Sequence, residues 1–117
     1  MPPGTDPDPS ELIASVPVWR HRIRIGELVT PGTEDSDAEM GRLDLPADLT
    51  GRRVLDVGCS DGRYSFEAER RGAAEVVAVD DESSLLAGGV NGFGVASRLL
   101  GSRVRYRQVD AEDLDPA

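Results

Sequence analysis

Four residues pose the chemical question in this 117-residue sequence: Asp56, Gly58, Gly62 and Asp80. The two glycines stand four apart in "VLDVGCSDG", between an apolar, β-prone run and a helix-like segment. A glycine turn between a parallel strand and its helix gathers backbone N–H groups and a helix N-terminus at one point. Ligands of such sheets bind there, beyond the carboxyl ends of the strands. Gly58 permits the tight turn, and Gly62 lets a ligand or backbone approach where a Cβ would obstruct. Asp80 comes eighteen positions after Gly62, at the end of the next apolar run. A carboxylate placed there accepts both hydroxyls of a ribose.

The spacing discriminates between nucleotide-like ligands. A dinucleotide fingerprint, G-x-G-x-x-G, started at Gly58 requires glycine at 60 and 63, where the chain has Ser60 and Arg63. A nicotinamide-dependent reductase is therefore the least favoured enzymatic reading. Asp56 and Asp61 also flank the turn with negative charge, which suits a ligand carrying an ammonium and a sulfonium better than a pyrophosphate. S-adenosylmethionine is such a ligand.

The elements that must position these residues follow a strand–helix rhythm. "RRVLDV" (Arg52 to Val57) reads as a strand entered through Gly51. "GRYSFEAERRG" reads as a helix closed by Gly72, with arginines in its last turn where they suit the dipole. "AEVVAVD" is a second strand, apolar on both faces as a covered parallel strand should be. In "SSLLAGGVNGFGVASRLL", Leu86, Val90, Phe93 and Leu100 keep helical spacing and Ser83 can cap, but the glycines predict packing-dependence or a break near Gly92. "SRVRYRQVD" is a third strand, with Arg103, Arg105 and Arg107 on one face and Val104 and Tyr106 on the other. Three arginines on one strand face suit a sheet edge, and the bland reading, a solvated face, is preferred to a nucleic-acid patch.

Upstream, Met1 to Pro9 reads as a disordered lead-in, and "SELIAS" as a short helix capped by Ser10. "HRIRIGELV" (His21 to Val29) alternates like a half-buried strand, and "TEDSDAEMGR" reads as a polar loop. The domain plan is residues 1–9 as lead-in, 10–50 as an N-terminal extension and 51–117 as the ligand-binding part. The fold class is α/β: the N-terminal half of a Rossmann-like doubly wound parallel sheet, strand order 3-2-1, with a short strand-bearing extension.

At this point "VLDVGCSDG" resembles motif I of class I S-adenosylmethionine-dependent methyltransferases, D/E-x-G-x-G-x-G. "VVAVD" resembles the following strand with its ribose-binding acid, and "VDAEDL" the third motif. The similarity covers roughly Val54 to Leu114. "VWRHRIRIGELVTPG" and "YSFEAERRGA" are also similar to a bacterial subset of these enzymes, without indicating a substrate. The resemblance implies that Asp56 orders the motif I loop and reaches the methionine amino group through water. It implies that Gly58, Cys59, Ser60 and Gly62 line the methionine and ribose with backbone, and that Asp80 holds the ribose hydroxyls. Asp81 would sit beside the adenine, Asp110 would accept from its amino group, and the Ala111 N–H would donate to the ring. Ser60 replaces the middle glycine of the motif and adds a side chain where the ligand passes.

Other residues have plainer readings. Cys59 is a small packing residue rather than a nucleophile, since no base is placed near it by sequence. His21, far from the motifs in sequence, reads as a surface or structural histidine rather than a catalyst, and Trp19 as an anchor for the N-terminal segment; Tyr64 and Phe66 could touch the ligand, but core packing is the preferred reading. No residue is assigned as catalytic, and no Cys/His spacing indicates a metal. A net charge of −9 argues against nucleic acid, and 4% aromatic content against a base-stacking surface. With no secretion signal and no apolar run of membrane-spanning length, the predicted compartment is cytoplasmic.

A complete domain of the resembled family has seven strands ordered 3-2-1-4-5-7-6, and this sequence carries three. The first strand is then predicted to have an open apolar edge. Either "HRIRIGELV" covers it, or a second chain does, or the chain is truncated, which is the preferred expectation. Two functions are carried forward. One is an S-adenosylmethionine-dependent methyltransferase, or a cofactor-binding fragment of one, with an unknown acceptor. The other is a non-catalytic Rossmann-like interaction module pairing through its open sheet edge.

Overall fold

The computed structural model describes residues 8–32, 36–80 and 92–109. The chain begins with helix α1 (Pro9–Ala14), whose N-cap is Asp8: its carboxylate accepts from the Ser10 N–H at 2.8 Å. Ser10 is thus inside the helix and not its cap. Trp19 is buried, and its Nε1–H donates to Ile13 O at 2.9 Å, tying the N-terminal segment down as its sequence reading predicts.

The alternating segment 21–29 is not one strand. It is a hairpin of β1 (Arg24–Ile25) and β2 (Leu28–Val29), with Arg24 opposite Val29 and a turn at Gly26–Glu27. Gly26 adopts φ 63°, the left-handed value a two-residue hairpin turn needs. Thr30 is buried beneath it: its hydroxyl donates to His21 O at 2.6 Å and accepts from the Ile23 N–H at 2.9 Å. The predicted polar loop also differs, since Ser36–Arg42 is helix α2, anchored by the buried Met40.

The remaining elements follow the expected order: β3 (Arg53–Val57), α3 (Arg63–Arg70), β4 (Glu75–Asp80), α4 (Gly92–Leu100) and β5 (Arg105–Gln108). They form a parallel three-stranded sheet in the order β3-β4-β5, so β5 lies at an edge as its arginines predict. The β1–β2 hairpin makes a separate sheet, and among the described residues no strand pairs with the outer edge of β3. Helix α4 is described from Gly92 onward; Ser83, Leu86 and Val90, and with them the stretch where a break is expected, lie outside the described residues.

Register assigns the faces. Asp56, Ala78 and Tyr106 are aligned across the three strands and share one face. Ser65 of α3 donates to Asp56 there, and Phe93 of α4 stacks on Tyr106 at 4.9 Å between ring centroids. Both helices therefore cover the same face. Phe66 packs on Phe93 at 5.1 Å, and the core continues through Val76, Ala78, Val95 and Ala96 to Ile13, Trp19 and Ile23 of the N-terminal segment. The opposite face carries Arg53, Leu55 and Val57, with Leu55 56% and Val57 51% exposed.

Candidate functional site

The glycine turn sits where β3 runs into α3, and its backbone is fixed from several sides. Gly58 and Cys59 N–H both donate to Val79 O, at 2.8 and 3.0 Å. The Ser60 N–H donates to Asp80 Oδ2 at 2.7 Å, and the Gly62 N–H to Cys59 O at 2.9 Å. The N–H of Arg63, the first residue of α3, donates to His21 Nδ1 at 3.3 Å. These five amides are engaged within the chain. An anion-binding nest needs such donors aimed outward at the ligand, so this turn is not built as a phosphate cradle.

What it offers instead is carboxylate. Asp56 and Asp80 lie on the helix-covered face of adjacent strands, and the register pairs Asp56 with Ala78. Asp80 is therefore two residues further along, about 6–7 Å, and one strand over, about 4.8 Å. Strand geometry thus puts their Cα atoms roughly 8 Å apart, on the same face. The Asp56 carboxylate accepts from the Ser65 hydroxyl at 2.6 Å. Burial pushes its pKa above the usual carboxylate value, and the Ser65 hydrogen bond only partly offsets this.

The two glycines work differently. Gly58 has φ 75°, and a Cβ built there would meet no atom within 4 Å, so the space over the turn is open. A Cβ on Gly62 would lie 2.6 Å from Phe93 and 2.8 Å from Phe66. Gly62 is thus required by the aromatic pair beneath the turn, a reason sequence spacing does not reveal. Ser60, at the motif's middle-glycine position, adopts φ 50°. That left-handed conformation costs a non-glycine residue about 1–2 kcal/mol.

Asp61 corrects a sequence expectation. It does not flank the ligand space but is buried, with Oδ2 accepting from the N–H groups of Arg20 at 2.6 Å and His21 at 2.9 Å. His21, remote in sequence, is brought against the turn, with its ring edge-on to Tyr64 at 5.4 Å. Cys59 is fully buried, and burial together with Asp56, Asp80 and Asp61 pushes its thiol up to about 12. It is a packing residue with no thiolate at neutral pH. Asp81, Asp110 and Ala111 lie outside the described residues. Among the described residues no group of His, Cys, Asp and Glu has metal-site geometry, and no helix is long and apolar enough to cross a membrane.

Comparison with known proteins extends these observations. No protein-family model matches the chain. Over 42 residues it is 55% identical to a magnesium-protoporphyrin O-methyltransferase of Rhodobacter capsulatus, covering 36% of this chain and 18% of that protein. Over 45 residues it is 44% identical to a tRNA U34 carboxymethyltransferase of Ectopseudomonas mendocina, covering 38% and 14%. Over 55 residues it is 42% identical to a ribosomal protein L11 methyltransferase of Actinobacillus pleuropneumoniae, covering 44% and 19%. The matches thus span less than a fifth of each curated relative. In fold, the chain resembles the N-terminal domain of EvdMO1, solved with SAH (S-adenosylhomocysteine) bound. The TM-score is 0.66 at 17% identity, over 93% of this chain and 49% of that one. A putative RNA methyltransferase from Pyrococcus horikoshii shares the fold less closely, with TM-score 0.51 at 18% identity over 95% and 54%. In these stretches the chain is thus similar in sequence to curated methyltransferases, and over most of its length it shares the fold of a domain solved with SAH bound.

Proposed function

We propose that the chain binds S-adenosylmethionine across the glycine turn and carries the donor side of a methyl-transfer site. One observation carries the reading: five amides at the turn are engaged within the chain while two carboxylates border its open space. Such a site repels polyphosphate and attracts a cation bearing hydroxyls. Asp56 faces the ammonium of the methionine end, and Asp80 accepts from the ribose hydroxyls. Gly58, Ser60 and Gly62 line the ligand with backbone, while Cys59, fully buried, supports the turn from within; Asp81, Asp110 and Ala111 serve the adenine. When bound, the cofactor supplies an electrophilic methyl group on a sulfonium for in-line displacement by an acceptor. The chain's own residues orient that donor and exclude water beneath it through Phe66 and Phe93. The acceptor is proposed only as a nucleophile-bearing molecule.

Isothermal titration of the full chain with S-adenosylhomocysteine tests this. Binding is expected in the wild type and weakened by about a hundredfold or more in Asp80→Ala, which removes a charged acceptor, and in Gly58→Val, which puts a β-branched side chain at φ 75° into the open space over the turn. A wild-type chain giving no heat with S-adenosylhomocysteine or S-adenosylmethionine overturns the reading.

The exposed Leu55 and Val57 favour a second reading, an interaction module pairing through the edge of β3. That edge borders a groove of about 570 Å³ lined by Leu43, Leu45, Val54, Leu55, Val57 and Tyr64. It predicts a cofactor-indifferent oligomer by light scattering, and a clean monomer counts against it.

A further inference from the structure

We propose that Asp61 is a positioning residue of the cofactor site, holding the strained turn in its ligand-binding shape by clamping it to the N-terminal segment. The inference rests on the cofactor reading above and extends it to a residue that never touches the ligand. Ser60 keeps its left-handed φ of 50° without the glycine that normally tolerates it. Strained conformations persist only where the surroundings over-determine them. Here two carboxylates do so. Asp80 holds the Ser60 N–H at 2.7 Å, and Asp61, the very next residue, is fixed by the Arg20 and His21 N–H groups at 2.6 and 2.9 Å.

The clamp is reciprocal and packed. The same segment returns a contact through His21 Nδ1, which accepts from the Arg63 N–H just beyond the turn. Trp19 and Asp61 both press on the start of α4: a Cβ added to Gly92 would lie 2.7 Å from the Trp19 ring and 2.8 Å from Asp61 Oδ1. Residues 19–21 therefore form a wall behind the turn, and Asp61 is the side chain that joins wall to turn. The acidic residue that sequence reading sets beside the ligand acts from behind it.

If the clamp exists to hold Ser60, relieving the strain at Ser60 relieves the need for the clamp. Binding of S-adenosylhomocysteine to the full chain is measured for wild type, Asp61→Ala, Asp61→Asn, Ser60→Gly and the Ser60→Gly/Asp61→Ala double variant. Asp61→Ala raises Kd by about tenfold, the scale of one charged hydrogen bond carried into binding. Asp61→Asn keeps an acceptor oxygen and falls between. Ser60→Gly restores most of the affinity in the Asp61→Ala background. Trp19, the sole tryptophan, reports the clamp directly, its emission moving to the red in Asp61→Ala and staying there in the double variant. A merely structural Asp61 would shift Trp19 and lower the melting temperature, yet leave Kd and its coupling to Ser60 unchanged. That result overturns the proposal. Should Asp61→Ala fail to fold, Asp61→Asn with and without Ser60→Gly reads the same coupling. No binding by the wild type defeats the cofactor reading and this inference together, whereas binding indifferent to Asp61 defeats the inference alone.

Discussion

The two faces of the three-stranded sheet are built to different standards. On one, Val76, Ala78, Val104 and Tyr106 lie under α3 and α4, and the N-terminal segment extends the same core. On the other, Leu55 and Val57 of the edge strand are more than half exposed, bordered by Arg53, Arg105 and Arg107, which are also exposed. The glycine turn and the carboxylates of Asp56 and Asp80 belong to the covered side. The contrast teaches that the glycine turn draws its rigidity from one face of the sheet and one N-terminal segment.

Substitutions that separate the faces should show the largest effect. Phe66→Ala removes a buried ring from beneath the turn and is expected to cost about 3–5 kcal/mol in urea unfolding. Leu55→Lys on the bare face should change stability by no more than about 0.5 kcal/mol, as surface substitutions do. Equal costs at the two positions would mean that β3 is covered on both sides in solution.

A smaller effect lies in pH. The Asp56 carboxyl is raised above 3.8, chiefly by burial. Its neutral form is thus favoured by folding: its contribution to stability is fully present below the ordinary value and is lost as pH rises through the raised one. Binding has the opposite sign, because an ammonium needs the ionised carboxylate. Affinity for S-adenosylhomocysteine is expected to fall as pH drops through the raised Asp56 value, and Asp56→Asn to flatten that profile. An unchanged profile in Asp56→Asn removes Asp56 from the methionine end. The smallest effect is predicted at Cys59, buried and raised to about 12. Iodoacetamide at neutral pH should leave it unmodified until urea unfolds the chain; rapid labelling of the folded chain would contradict its burial.

Much of the covered side was legible in the sequence. Runs such as "VLDV" and "EVVAVD" and the terminating Gly72 carry local signals, and β3, α3, β4 and β5 appear where those signals put them. Segment 21–29 reads as one strand because its alternation is genuine, but Gly26 turns it into a hairpin sealed by Thr30. Helix α2 is polar enough to read as loop and is anchored by a single buried residue, Met40. The roles of Asp61 and His21 left no periodic trace, since each acts through backbone some forty residues away. Gly62 was found for its spacing, yet what its missing Cβ avoids is an aromatic pair visible only once α3 and α4 meet.

The Asp61 clamp has a consequence for folding. It closes a loop spanning 41 residues, about twice the 20 of the Ser60–Asp80 contact. Closure entropy grows only logarithmically, so that doubling adds about 0.6 kcal/mol. The longer tether is cheap at equilibrium, but it cannot form until the N-terminal segment has docked on a completed turn. Competence to bind should therefore appear after β3, α3 and β4 have assembled, so that ligand binding during refolding times the arrival of the N-terminus.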